Sequence, residues 1–257
     1  MPPLAAIKMK ILITLATIFL TVQSIGQKAS FKEMKFKPRA EYYNSKEFTI
    51  IFPIVLTKNQ KINKLINEQI KIEFFGPEDE KRNLKTVITE HINEYGLVYL
   101  SYQTTYNGYG LLSFSVTAEG CGAYCSNWNT YFTFDLTTGK KITISDIIFK
   151  EKIDSFKTIV KENKISLLNK YKEQQKESLL SKDIDSTTYD WIISQVDENC
   201  ISNASLENLS ISSNSIEIID PCEFPHAIRA LEPEFELKYN YNFLSKFLKP
   251  RFKTLLK

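Results

Sequence analysis

Between residues 97 and 140 the sequence admits one kind of structure. Leu97 to Tyr106 favours extended backbone, and Asn107-Gly108 is the strongest short hairpin signal in the chain. On the return, Leu112, Phe114 and Val116 alternate with Ser113, Ser115 and Thr117, which gives a strand one buried face and one wet face. A third strand follows, with Phe132, Phe134 and Leu136 on one face, and Thr137-Thr138-Gly139-Lys140 turns the chain towards Ile142 and Ile144. Six of the seven glycines after Gly26 lie between Gly96 and Gly139, as tight turns in an antiparallel meander require.

The flanks supply helices. Ile62, Leu65, Ile66 and Ile70 recur at helical spacing before a Gly76-Pro77 loop, and Phe48 to Leu56 reads as a strand, with Pro53 marking an edge or a bulge. Residues 151–180 read as a helix with a stripe of Ile153, Phe156, Ile159 and Val160, preceded by a short helix that Ser145 is placed to cap. Thr187 to Asn199 reads as a further helix around Trp191. Leu209–Ile211 and Ile216–Ile218 read as another hairpin, followed by an extended piece at Phe235–Tyr239. A short basic helix carries Lys246, Lys249, Arg251 and Lys253 and docks through Phe243, Leu244 and Phe247. These elements predict an α+β fold, antiparallel sheets with helices packed on one face.

The first 26 residues stand apart. Lys8 and Lys10 precede an apolar run from Ile11 to Val22, and Ser24-Ile25-Gly26 places small residues before Gln27, the pattern of a cleavable signal peptide. The run is shorter than the roughly 20 apolar residues of a membrane anchor. Removal of residues 1–26 takes away two lysines and no acid, so net charge falls from +3 to +1. That overall balance suggests neither nucleic acid nor an anionic membrane as a partner. The mature chain is expected to have no transmembrane segment and to be exported, periplasmic or extracellular. Residues 27–38 are lysine-rich without a clear period and read as a flexible leader.

Export frames the four cysteines. Cys121, Cys125, Cys200 and Cys222 form an even set in an oxidising compartment, which points to two disulfides. Three connectivities are open; the simplest joins Cys121 to Cys125 and Cys200 to Cys222. Cys121, Cys125, Cys222 and His226 would together make a zinc-type set of three sulfurs and a nitrogen, but export favours disulfides and the usual C-x2-C knuckle spacing is missing. No metal and no cofactor are therefore expected.

Catalytic signatures are also missing: there is no G-x-S-x-G, no Walker loop and no G-x-G-x-x-G. The chain has two histidines, His91 and His226. Glu232, Glu234 and Glu236 bracket Pro233 in a strand-like segment, and paired carboxylates of this kind are what a glycoside hydrolase would use. The segment from Pro221 to Arg229, with two prolines and Cys222, is a rigid corner. Its His226 and Arg229 either satisfy carbonyls or face a ligand.

Further residues carry a resemblance. Leu112–Val116, a glycine-rich loop, Tyr131–Lys140 and Ile144–Ile148 resemble in sequence a bacterial domain of unknown function. That domain forms the extracellular part of RsiV-type anti-sigma factors and accompanies PdaC-type polysaccharide deacetylases. Ile216–Pro221, Pro225-His226-Ala227 and Tyr239–Leu248 resemble its closing strand, loop and helix, and the upstream strand and helix resemble the small domain that commonly precedes it. The resemblance implies a small PdaC-like domain at residues 39–90 and an RsiV-like domain at 91–257. It also implies a domain that binds rather than catalyses, since the RsiV-type ectodomain receives lysozyme and the deacetylase chemistry lies in a separate domain. The family's Gly-Gly-Ala-His run is replaced here by Gly120-Cys121-Gly122-Ala123-Tyr124-Cys125.

The sequence thus leads to an exported recognition domain of the cell envelope, with a lysozyme-like muramidase or peptidoglycan glycan as partner. The expected contacts are Tyr124, Asn127 and Trp128 on the stapled loop, beside His226 and Arg229. An envelope hydrolase working through Asp and Glu carboxylates, and a structural domain without a small ligand, are the alternatives. Acids around a deep cleft would favour the enzyme, and an aromatic patch would favour binding.

Overall fold

The computed structural model describes residues 27–39, 41, 49–122, 125–201, 205–222, 224–233 and 235–256. The expected signal peptide, residues 1–26, and Phe48 lie outside them. Two compact units divide the chain between Ile142 and Thr143. The architecture is α+β, as the patterning predicts.

The first unit is a five-stranded sheet in the order β1-β2-β3-β4-β5. Its strands are β1 (Ser30–Phe36), β2 (Ile50–Leu56), β3 (Leu97–Gly108), β4 (Leu111–Cys121) and β5 (Cys125–Asp135). Helices α1 (Gln60–Phe75) and α2 (Leu84–Asn93) connect β2 to β3. Asn59 and Asn83 cap them, each side-chain oxygen accepting from two backbone N–H groups of the first turn. The β2–β3 pairing is parallel, at Ile50↔Leu100, which is why a crossover of this length joins them; the other pairings are antiparallel. Pro53 sits beyond that single register pair, opposite Glu33 of β1, so β2 tolerates it although β1 covers the outer edge.

One apolar core unites these elements. Ile66 and Ile70 of α1 and Val87 and Ile88 of α2 bury against Phe52, Leu100, Phe114, Phe132 and Phe134 of the sheet. The Phe114 and Phe132 rings stack at 5.2 Å. An expected domain boundary after residue 90 therefore falls inside the unit, because both helices share their core with the meander and the sheet runs across it.

The lysine-rich leader is also corrected. Ser30–Phe36 is β1, paired with β2 over its whole length. Phe31 packs 4.7 Å from the Tyr102 ring and 5.3 Å from that of Phe114, contacts that short-range periodicity cannot show. Nor does Asn107-Gly108 make the hairpin turn. Gly108 still pairs with Leu111, and the turn residues are Tyr109 and Gly110, at φ 51° and 78°. Asn107 works elsewhere: its Oδ1 accepts from the Ala29 N–H at 3.0 Å and its Nδ2 donates to the Ala29 carbonyl at 2.8 Å. The alternation on β4 holds for Leu112, Phe114 and Val116, but Ser113 is buried too, its hydroxyl 3.0 Å from that of Thr133.

The second unit holds α3 (Ile144–Ile147), α4 (Ile153–Leu180), α5 (Ser186–Gln195) and a π-helical turn Val196–Cys200. A three-stranded antiparallel sheet, β6 (Asn208–Ile211), β7 (Ser215–Ile219) and β8 (Leu237–Asn240), precedes α6 (Tyr241–Leu244) and α7 (Pro250–Leu255). Thr143 caps α3, in a capping box with Asp146, and Ser145 stands inside the helix. In α5 it is Ile192 that is buried, while Trp191 is exposed. A buried ion pair ties the long helix to the end of β7, with Lys164 Nζ 2.7 Å from Asp220 Oδ2.

The Asn107 contact predicts that Asn107→Ala destabilises the first unit by about 1–3 kcal/mol, since it strands both polar groups of Ala29. Urea unfolding together with hydrogen exchange at the Ala29 amide measures this.

Candidate functional site

The stapled loop is mostly strand. β4 and β5 pair without a register break from Leu111↔Asp135 to Cys121↔Cys125, so residues 118–121 and 125–128 are ladder. Cys121 and Cys125 face each other and are joined by a disulfide, Sγ–Sγ 2.02 Å. Cys121 is buried and Cys125 exposed. The Cys121 N–H donates to the Gly96 carbonyl at 2.8 Å. Gly96 has φ +70°, and a Cβ there would meet the Cys121 carbonyl oxygen at 2.0 Å, so only glycine fits between α2 and β3.

Strand geometry separates two of the expected contacts. Asn127 and Trp128 are consecutive in β5 and so project to opposite faces, Asn127 opposite Glu119 and Trp128 opposite Ala118. Tyr124 lies outside the described residues. Trp128 shares the helix-covered face of the sheet, at its rim, and is 36% exposed. Gly120 gives it room: a Cβ at that position would stand 3.3 Å from the indole.

From Trp128 a run of rings crosses the helix ends. Trp128 lies 6.1 Å from Phe74, Phe74 4.8 Å from Phe75, Phe75 4.7 Å from His91, and His91 4.9 Å from Tyr95, centroid to centroid. Tyr95 closes the run at 64% exposure. Sequence reasoning missed Phe74, His91 and Tyr95. The signal available was His91 and Tyr95 four residues apart at a helix end, just before Gly96.

A charged network holds the strip from behind. Buried Asp79 accepts from Arg82 Nη1 at 2.7 Å and lies 3.9 Å from His91 Nε2, and Arg82 also pairs with Glu90. Lys71, itself buried, donates to the carbonyls of Glu80 and Arg82 at 2.6 and 2.9 Å and fixes the same loop. Burial holds the His91 imidazole below its ordinary value; Asp79, Glu90 and Glu78 oppose that shift and Arg82 reinforces it. The imidazole is accordingly neutral at pH 7, a flat ring rather than a cation.

Glu119, Cys121 and Cys125 bring one oxygen and two sulfurs within 4.8 Å of one another. Both sulfurs are spent on the disulfide, and a metal would need them as thiolates. The rest of the zinc-type set is divided likewise, because Cys222 is bonded to Cys200. Both pairings are the simplest ones expected, and two disulfides fit an oxidising, extracytoplasmic compartment.

His226 and Arg229 belong to the second unit, on the 3-10 helix His226–Leu231, where Arg229 is exposed. The side chain of His226 is outside the described residues. Cys200 and Cys222 pack with Leu168, Ile192, Val196, Phe224 and Ile228 in that unit's core. Glu232 is engaged there: its carboxylate accepts from the N–H groups of Cys222 and Phe224 at 3.0 and 3.4 Å. Glu236 pairs with Lys238 at 2.6 Å, and Glu234 lies outside the described residues. Among the described residues no helix is long and apolar enough to cross a membrane.

Two solved structures share this fold. One, from Bacteroides fragilis NCTC 9343 and described as a member of the DUF3298 family, matches at TM-score 0.56 and 14% identity, over 91% of this chain and 98% of its own. The other, a DUF3298 family protein of Pseudomonas aeruginosa PAO1, matches at TM-score 0.50 and 14% identity, over 87% and 94%. At such identity the likeness is one of fold. No protein-family model and no curated protein matches the chain in sequence.

Two predictions follow from this geometry. The Cys200–Cys222 bridge spans 22 residues and the Cys121–Cys125 bridge four. Replacing the first pair by alanine should cost about 3 kcal/mol and the second about 2 kcal/mol or less, on the chain-entropy account, in denaturant titrations of the two double variants. The second concerns His91. Its folded pKa is lowered, so as pH falls through about 6.5 the unfolded chain takes up this proton before the folded one and stability drops, levelling out below the folded pKa. His91→Gln should flatten that part of the stability–pH curve, measured by urea unfolding at a series of pH values.

Proposed function

We propose that the chain is an exported recognition module of the cell envelope that acts by binding, with a lysozyme-like muramidase or a wall glycan as its partner. The observation that carries this reading is the aromatic strip from Trp128 to Tyr95, which puts two exposed aromatic residues on a scaffold already rigid before any partner arrives. The cross-strand disulfide, the uninterrupted β4–β5 ladder and the Gly96 contact with Cys121 fix one end, and the Asp79–Arg82–Glu90 network fixes the other. Aromatic side chains held in this way lose little conformational freedom on association. Their flat apolar faces suit either the C–H face of a sugar or a protein surface.

The sequence resemblance to RsiV-type ectodomains supports the muramidase as partner; the likeness to the DUF3298 structures is one of fold alone. The engagement of Glu232 with two backbone N–H groups speaks against a catalytic pair built on that residue.

Titration of the mature chain with a lysozyme and with purified peptidoglycan tests the proposal. Trp128→Ala combined with Tyr95→Ala should weaken the complex by about 2 kcal/mol or more, roughly thirtyfold, with the far-ultraviolet circular dichroism unchanged. Undiminished affinity in a folded double variant would place the contact surface elsewhere.

A further inference from the structure

The second unit carries its charge in two blocks. Residues 143–236 hold eighteen acidic and ten basic side chains, whereas residues 237–257 hold six basic and no acidic ones. Helix docking does not account for the basic block. Leu244, Phe247, Leu248, Phe252 and Leu256 make the buried contacts of this region, while Lys246, Arg251 and Lys253 are exposed. Lys238 is separate, paired with Glu236 on β8.

A second segment brings more cations beside the first. The backbone bridge Ile148↔Leu248, flanked by Phe149 N–H to Phe247 O at 3.0 Å and Lys249 N–H to Ile147 O at 2.9 Å, lays residues 147–150 antiparallel to 246–249. Lys150 and Lys152 thereby join Lys246, and the Lys152 ammonium donates to the Lys246 carbonyl. Lys249 Nζ donates to the Ser145 carbonyl at 2.7 Å. Lys246 Nζ stands 4.9 and 5.0 Å from the rings of Phe243 and Phe247, and Lys152 Nζ 5.5 Å from that of Phe149. Among the described residues, none of these three lysines pairs with a carboxylate. Of the local acids, Asp146 is occupied by the N-cap of α3, and Glu151 and Asp154 are exposed.

We infer that this basic face is a docking surface for anionic phospholipid headgroups. The cations of the two antiparallel segments, Lys150 and Lys152 beside Lys246, form an area rather than a file, and the exposed Arg251 and Lys253 of α7 follow directly in the chain. Half-buried Phe149 and Phe243 lie among the lysines, and mixed aromatic and basic side chains suit the headgroup layer. Each cation near such a surface adds to the attraction, which salt weakens. The inference stands independently of the aromatic strip, which belongs to the other unit.

The test is co-sedimentation of the mature chain with vesicles of phosphatidylcholine alone or mixed with phosphatidylglycerol. Binding is expected to the mixed vesicles only, and to decline as salt is raised. The triple variant Lys246→Glu, Arg251→Glu, Lys253→Glu should lower the partition coefficient about a hundredfold. A control triple variant elsewhere in the unit, Lys172→Glu, Lys176→Glu, Lys182→Glu, makes the same change in net charge and should leave most of the binding in place. If the first variant fails to fold, Lys246→Gln with Lys253→Gln is compared with Lys172→Gln with Lys176→Gln, about a thirtyfold loss being expected for the former only. Equal loss in the control would show net charge acting without a site and would overturn the inference. So would absence of binding to mixed vesicles, or soluble polyphosphate binding through the same lysines while vesicles do not.

Discussion

In the first unit, most of what matters depends on the register of β4 against β5. The side-chain period of a strand is two, so a slip of one residue would turn Phe132 and Phe134 out of the core and carry Trp128 to the opposite face. The same register sets Cys121 opposite Cys125, and the disulfide then locks the open end of the ladder. At the other end the turn at Tyr109-Gly110 and the Asn107 contact with Ala29 hold the β3–β4 hairpin. One ladder thus places the core, the bridge and the exposed indole together.

The aromatic strip shows how a surface feature is produced by packing rather than by a loop. Phe75 is buried, Phe74 and His91 half-buried, and Tyr95 and Trp128 exposed, so the run of rings rises out of the core. Each ring is supported by the next, and the neutral imidazole of His91 lets the run continue without a charge in the middle. In the second unit the corresponding fixed point is the Cys200–Cys222 bridge inside its apolar cluster, with Glu232 satisfying the backbone beside it.

The chain has two histidines, and two of the three carboxylates singled out in the sequence lie among the described residues. Glu232 holds a corner and Glu236 pairs with Lys238. The proposed recognition role would rest on the aromatic faces and on the charge that the two units expose.

Local chemistry was legible. The alternation from Leu112 to Val116, the helical spacing of Ile62, Ile66 and Ile70, and the hairpin around Ile211 and Ile216 all depend on neighbours within a few residues, and the fold class followed from them. The disulfide pairs were legible as the simplest of three connectivities. What stayed hidden depends on residues far apart in the chain. Ser30–Phe36 became a strand because β2 lay ready to pair with it, and Asn107 left the turn because Ala29, 78 residues away, took both ends of its amide. Asn127 and Trp128 looked like one site because both lie beside Cys125, and pairing with β4 put them on opposite faces. By itself the sequence determined the periods of its elements, the even set of cysteines and the fold class, since each is written in the residues themselves and their short spacings. Only the tertiary structure decided that Trp128, Phe74, His91 and Tyr95 form one surface, because β5, α1, α2 and the turn after α2 must pack before those rings can meet.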